Sequence, residues 1–135
     1  MFYNILTGYR GITRFPGEEI VILVSSLHKV SELGILFVFT DRHAYTAMAE
    51  FFSEISDLGN VDWGILRTRD FKGDLDDLGK KERYHAEALI WKHLPVQTLL
   101  GICCFTDEIQ QQVQAELDQR GLKVKAMMRG DWYFK

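Results

Sequence analysis

A single glutamate in an apolar stretch is the residue of this sequence best suited to chemistry. Glu87 lies in segment 84–91, whose alternating pattern predicts a β-strand of about eight residues. It shares one face of that strand with His85, Leu89 and Trp91. A carboxylate among such neighbours keeps its charge only where water, a partner or a ligand reaches it. The pattern therefore predicts a carboxylate in a cleft or at a sheet edge, although a strand glutamate is often simply solvated.

Basic residues lie directly before this strand. Lys80, Lys81 and Arg83 end segment 67–83, a polar stretch with charges of both signs and few large apolar side chains. Long loops in compact domains often form lids or binding loops, and a solvated charge run has the same composition. A lone carboxylate beside a charged loop fits chemistry in which one acid positions a sugar better than it fits hydrolysis by two converging acids.

His43 is a second candidate, because it follows a predicted strand at segment 35–39, and the end of a strand is a common place for a ligand contact. A histidine there can also be structural or merely exposed. Tyr45 and Phe71 offer aromatic surfaces on which unpaired bases can stack, but packing in the core is the favoured interpretation of both.

Composition sets wide limits on the class of protein. The chain has 135 residues, a hydrophobic fraction of 47% and a net charge of −3, which indicate a single globular domain over 1–135 without bulk affinity for nucleic acid. No run approaches the roughly 20 apolar residues of a membrane span, and the start is unlike a signal peptide, so a cytoplasmic location is expected. No phosphate-binding glycine loop, nucleophile elbow or metal-ligand spacing occurs, and we expect no metal.

The order of the elements predicts an α+β fold with a mixed β-sheet. In the predicted strand 19–24, residues 20–24 are all apolar, as in a central strand, and the last two strands are expected to form a hairpin-like pair around a turn at 129–131. Segment 65–71 is predicted to be extended, and Pro95 to start a single helical turn. The predicted strands are 2–6, 19–24, 35–39, 84–91, 99–105, 122–128 and 132–134, and the predicted helices are 26–33, 42–58 and 106–120.

Several blocks, in this order and spacing, carry a resemblance to one family. They are 18–25, 37–41 with 43–45, 62–63 with 65–66, 69–71, 82–84 with 86–91, and 132–134. Over essentially its whole length the chain resembles the DarT-type DNA ADP-ribosyltransferase toxins. The resemblance implies an ADP-ribosyltransferase-like fold, NAD as substrate, thymine in single-stranded DNA as acceptor, and a macrodomain antitoxin (DarG-like) as partner.

The resemblance also implies roles for individual residues. Glu87 matches the family's catalytic glutamate, which would hold the ribose as positive charge develops at its anomeric carbon. His43 and Arg69 match positions of DNA contacts. From their charge, Lys80, Lys81 and Arg83 are expected to contact phosphates.

One departure from the family pattern affects the expected activity. The family has a further N-terminal portion with its NAD-binding element, and nothing in this sequence corresponds to it, so the fold is expected to be truncated at the N-terminus. The cofactor-binding residues are then unknown, little transferase activity is expected, and the remaining surface is expected to favour self-association. The alternative is a non-catalytic remnant that binds single-stranded DNA or the antitoxin.

Overall fold

The structure, a computed structural model, describes residues 2–68 and 72–133. The chain divides into two compact units, Met1–Ser26 with Pro95–Lys135 and Leu27–Leu94. The helices are α1 (Phe2–Thr7), α2 (Leu27–Glu32), α3 (Trp63–Thr68), α4 (Lys80–Arg83) and α5 (Asp107–Gln119). The strands are β1 (Ile22–Val24), β2 (Phe37–Thr40), β3 (Phe51–Phe52), β4 (Ala88–Ile90), β5 (Gly101–Cys104) and β6 (Ala126–Met128).

The first unit, formed by both ends of the chain, contains a three-stranded sheet in the order β1-β5-β6. Strand β1 runs antiparallel to β5, and β6 runs parallel to β5 after the chain crosses over through α5. Helix α5 packs Leu117 onto Ile102, Cys104 and Ala126, which form the buried core of this unit. Both cysteines are free and buried.

The second unit contains a three-stranded antiparallel sheet in the order β3-β2-β4, so β4 is an edge strand. Its core consists of Val30, Phe37, Phe39 and Val61. The rings of Phe39 and Phe52 stack across β2 and β3 with centroids 5.4 Å apart. This packing fixes β2, the strand that leads to the candidate site.

Many predicted elements are confirmed, and so is the α+β class. Helix α2, strands β2 and β5 and a helical turn after Pro95 lie where the pattern placed them. The best-defined prediction was α5, because its ends are specified by local chemistry. Thr106 caps it by accepting a hydrogen bond from the Ile109 amide at 3.3 Å, and Gly121 adopts a left-handed φ of 66° just beyond its end.

The predicted helix 42–58 is wrong, because polar side chains satisfy the backbone in a different way. The Asp41 carboxylate accepts a hydrogen bond from the Glu50 amide at 3.0 Å, and the Thr46 hydroxyl donates one to the His43 carbonyl at 2.9 Å. These local bonds compete with a helix and fold residues 41–50 into a loop that returns to β3. The apolar spacing that suggested a helix is spread over this loop, β3 and a 3-10 segment.

The predicted extended segment 65–71 is also wrong over its described part, since residues up to 68 belong to α3. Asp62 is the helix start signal that the prediction missed. Its carboxylate accepts a hydrogen bond from the Ile65 amide at 3.1 Å, the geometry of an N-terminal cap. Residues 69–71 lie outside the described part of the chain.

Segment 2–6 is a helix, α1, and the predicted strand is wrong. Leu6 on this helix is buried, and the ring of Phe2 contacts Tyr133 edge-on at 5.6 Å. Residues of strand-type composition favour any half-buried surface against which they can pack, and here a helix provides that surface.

Strand β1 was expected to be central, but it forms an edge of its sheet. Val21 and Leu23 are 42% and 58% exposed, so the apolar run is not covered on both faces.

The expected closing hairpin is wrong as well. Strand β6 pairs in parallel with β5, and Trp132 belongs to a 3-10 turn rather than a strand. Phe134 lies outside the described residues. A parallel pair requires a long crossover, which α5 supplies and which local turn residues do not reveal.

No helix within residues 2–68 and 72–133 combines the length and apolar character needed to cross a bilayer.

Packing around Gly17 gives a test of the first unit. A Cβ atom at this position would stand 2.8 Å from the Phe105 ring, so Gly17→Ala should lower the free energy of unfolding by about 1–3 kcal/mol in urea titrations. Gly59→Ala is the matched control, because a Cβ there meets no atom within 4 Å. Equal stability of the two variants would contradict this packing.

Candidate active site around Glu87

The backbone of Glu87 is fixed by Thr40 on the neighbouring strand. The Thr40 amide donates to the Glu87 carbonyl at 3.0 Å, and the Glu87 amide donates to the Thr40 hydroxyl at 3.2 Å. Thr40 is fully buried. Glu87 therefore immediately precedes β4, at the point where a side-chain hydroxyl replaces one partner of the strand ladder.

The predicted strand 84–91 is much shorter in the structure. Helix α4 and a turn occupy the approach, and only Ala88–Ile90 form β4. Leu89 and Trp91, which were expected to surround Glu87 with apolar surface, are 46% and 65% exposed. The glutamate consequently stands beside an edge strand on an open face, one of the two settings that the sequence analysis predicted.

The side chain of Glu87 is held through one oxygen. Oε1 accepts a hydrogen bond from the Ala44 amide at 2.9 Å, and Nδ1 of His43 lies 3.4 Å from the same oxygen. Among the described residues Oε2 has no partner, and the side chain remains 39% exposed. The carboxylate is thus oriented by the protein and open to a ligand.

His43 connects Glu87 to the loop after β2. Its Nδ1 atom accepts a hydrogen bond from the Tyr45 amide at 3.3 Å, and its ring centroid lies 5.8 Å from that of His85. The His43 amide donates to the Glu82 carbonyl at 3.0 Å. The structure therefore brings together two of the predicted site residues, His43 and Glu87.

Arg83 is engaged within the protein. Its guanidinium pairs with the Asp77 carboxylate and, through Nε at 3.2 Å, with Asp62. Hydrogen bonding to Arg83 lowers the pKa of Asp77. The guanidinium that was expected to contact DNA phosphates is thus paired with two carboxylates of the protein. In this arrangement Arg83 links α4 and the preceding loop to the start of α3.

The other predicted DNA contacts differ in placement. Lys81 is exposed on α4 and Lys80 is half-buried on the same helix, while Arg69 lies outside the described residues. Within the described residues, no group of three or more histidine, cysteine or acidic side chains is arranged to hold a metal.

Sequence reasoning did not predict that Asp41 stabilises the loop after β2, which contacts Glu87. Asp41 is 7% exposed and accepts hydrogen bonds from Arg42, at 2.8 Å from Nε, and from the Glu50 amide. Burial acts to raise the pKa of Asp41, but the hydrogen bonds and charge of Arg42 outweigh it and hold that pKa below its usual value. A buried strand followed by Thr-Asp-Arg was the available signal, and it was interpreted as a helix cap.

Nearly the whole chain is similar to known proteins. The family model described as ssDNA thymidine ADP-ribosyltransferase, DarT, matches residues 1–134. A DNA ADP-ribosyl transferase of Escherichia coli O127:H6 (strain E2348/69) is 47% identical over 134 residues, which cover 99% of this chain and 62% of that protein. The chain thus spans somewhat less than two thirds of that relative's length.

Two solved structures show the same fold. Thermus sp. 2.9 DarT in complex with NAD+ has a TM-score of 0.83 and 28% identity, covering 98% of this chain and 66% of that one. The same protein in complex with ADP-ribosylated ssDNA has a TM-score of 0.83 and 28% identity, covering 98% and 63%. The fold is therefore that of an ADP-ribosyltransferase domain. The chain belongs to the DarT family of single-stranded DNA thymidine ADP-ribosyltransferases.

The buried acid gives a pH prediction. Because the pKa of Asp41 in the folded protein is lower than the ordinary 3.8, its charged form stabilises the fold above that value, and this stabilisation is lost as the pH falls through the lowered pKa. Asp41→Asn should therefore lower the free energy of unfolding at neutral pH. Below about pH 4 the free energy of unfolding should fall less steeply in the variant than in the wild type. Urea titrations between neutral and acidic pH measure both effects. An unchanged acid dependence in the variant would contradict the role of Asp41.

The ion pairs of Arg83 give a second prediction. Arg83→Gln should lower the free energy of unfolding measurably in the absence of DNA, because it separates two carboxylates from their shared cation. Lys81→Gln, an exposed neighbour on the same helix, should leave the stability near that of the wild type. Thermal unfolding compares the two. Equal stability would mean that Arg83 does not fasten this region.

Proposed function

We propose that the protein transfers ADP-ribose from NAD to a thymine base in single-stranded DNA, with Glu87 as the catalytic residue. The observation that carries the proposal is the Glu87 carboxylate itself, which is oriented through Oε1 by the Ala44 amide and remains open at Oε2. The names of the similar proteins, which include complexes with NAD+ and with ADP-ribosylated ssDNA, support the choice of substrates.

The geometry suits the chemistry of this transfer. As the bond between the ribose and nicotinamide breaks, positive charge develops at the anomeric carbon. The free oxygen of Glu87 would hold a ribose hydroxyl and stabilise that charge, and the backbone ladder with Thr40 limits any displacement of the acid. A ring nitrogen of thymine then bonds to the anomeric carbon and releases its proton to the solvent that reaches the open site, and nicotinamide leaves with the electron pair of the broken bond.

The DNA strand is expected to approach along the charged segment before β4. His43 adjoins Glu87, Lys81 is exposed on α4, and Lys80 and Arg69 belong to the same charged segment of the sequence. Contacts between these side chains and phosphates would position the strand without selecting its sequence. Arg83 has an indirect part in this proposal, since it fastens the segment that carries the lysines.

The proposal extends to a wider biological role, which the resemblance to the family suggests. We propose a toxin that acts on DNA in the cytoplasm and is paired with a macrodomain antitoxin that removes the mark. Residues 1–135 contribute to this role as one functional domain.

Substitution of Glu87 tests the enzymatic proposal. In the protein as it is encoded, Glu87→Gln should lower transfer of labelled ADP-ribose to a thymine-containing oligonucleotide by about two to three powers of ten. Glu54→Gln, which changes an exposed glutamate in the same compact unit, should retain activity.

Two outcomes would contradict this assignment. Transfer that survives Glu87→Gln would remove Glu87 from the catalytic role. Salt-dependent binding of single-stranded DNA by the encoded protein, with no consumption of NAD, would favour a non-catalytic binding function instead.

A further inference from the structure

Tyr45 is the most exposed aromatic side chain among the described residues, at 94%. The sequence left two interpretations of it, packing in the core and stacking with a base. A ring with this exposure contributes almost nothing to a hydrophobic core, so the first interpretation is excluded.

The backbone that carries Tyr45 is well fixed. Its amide donates to Nδ1 of His43 at 3.3 Å, and the next residue, Thr46, donates its amide to the His43 carbonyl at 3.0 Å. The Ala49 amide donates in turn to the Thr46 carbonyl at 3.0 Å. Exposure of the ring is thus built into a hydrogen-bonded turn, and binding to it would cost little backbone ordering.

The turn also places Tyr45 directly after the residue that contacts Glu87. Its neighbour Ala44 donates its amide to the Glu87 carboxylate at 2.9 Å, and adjacent Cα atoms are about 3.8 Å apart. Any base that reacts with a sugar held by Glu87 must come within a few ångströms of this carboxylate. The Tyr45 ring is therefore within reach of the acceptor base.

We propose that Tyr45 is the residue on which the acceptor base stacks, a role that rests on the proposed transfer to DNA. An aromatic ring next to a base that has left its neighbours replaces the lost stacking, and the effect is tolerant of base identity. Tyr45 therefore contributes affinity and orientation of the acceptor, while recognition of thymine belongs to other contacts.

Binding of single-stranded DNA without NAD provides the first test. Tyr45→Ala should weaken binding of a short oligonucleotide with one central thymine by about 5- to 150-fold, the range measured for loss of one aromatic–base stack. Tyr45→Phe keeps the ring and should bind like the wild type, whereas Tyr45→Leu keeps apolar bulk without the ring and should resemble Tyr45→Ala. Tyr9→Ala, a half-exposed tyrosine of the other compact unit, is the matched control and should be neutral.

An abasic scan identifies the stacked position. Each nucleotide of the oligonucleotide is replaced in turn by an abasic residue, and binding of the wild type and of Tyr45→Ala is compared. The difference between the two proteins should disappear only when the acceptor thymine is removed, because the two changes then delete the same contact. A difference that persists at the acceptor position, or that disappears at another position, overturns the proposal, as does wild-type protein without measurable binding.

Kinetics separate this role from a merely structural one and from failure of the proposed enzyme. Tyr45→Ala should raise KM for the oligonucleotide while KM for NAD stays unchanged, and Tyr45→Phe should restore the wild-type value. If transfer depends on Glu87 but Tyr45→Ala binds and reacts normally, the stacking role is overturned and the proposed function stands. If Tyr45→Ala weakens binding of the oligonucleotide as expected but the wild-type protein consumes no NAD, the stacking contact stands and the enzymatic proposal is overturned.

Discussion

The candidate site depends on one exchange of hydrogen bonds, between Thr40 at the end of β2 and Glu87 immediately before β4. It joins a buried strand to the residue that carries the proposed chemistry, over two bonds of 3.0 and 3.2 Å. Thr40 is inaccessible to solvent, and loss of its hydroxyl would remove the partner of the part-buried Glu87 amide. The position of the acid is thus coupled to the stability of the sheet.

The loop after β2 extends this arrangement. Asp41 closes the loop onto Glu50, and the Ala44 amide then reaches the Glu87 carboxylate. A backbone amide is a suitable partner for this purpose, since it fixes one oxygen without adding a competing full charge. The same loop holds Tyr45 in the open, so the acid and the proposed stacking ring share one support.

The sequence was sufficient to predict the elements whose ends are determined by residues at those ends. Thr106 and Gly121 delimit α5, and the apolar run of β2 marks a buried strand, so both were predicted. The sequence was insufficient where side chains form hydrogen bonds to the backbone in place of a helix. Asp41 was expected to cap a helix, and instead its carboxylate closes a loop by accepting a hydrogen bond from the Glu50 amide. Parallel pairing of β5 with β6 depends on a crossover, and no local pattern records which strand will lie beside which.

Prediction of the site had a similar limit. Glu87 stood out because an acid in an alternating apolar segment is unusual, and the family resemblance gave it a role. The role of Arg83 could not be read in the same way, because charge alone does not distinguish a phosphate ligand from a partner of Asp62 and Asp77. That distinction depends on the distance between side chains 21 residues apart in sequence, which only the fold defines.

One nitrogen of His43 lies next to both functional groups of the loop, the Tyr45 turn and the Glu87 carboxylate. Nδ1 lies 3.3 Å from the Tyr45 amide and 3.4 Å from Oε1 of Glu87, and it cannot accept a hydrogen bond from the first while donating one to the second. The tautomer with its proton on Nε2 accepts from the Tyr45 amide, whereas the tautomer with its proton on Nδ1 donates to Oε1 of Glu87. The first tautomer supports the turn that displays Tyr45, the second orients the carboxylate, and in both of them Oε2 of Glu87 is left for the sugar. Support of the base and of the sugar are therefore compatible in one arrangement of the loop.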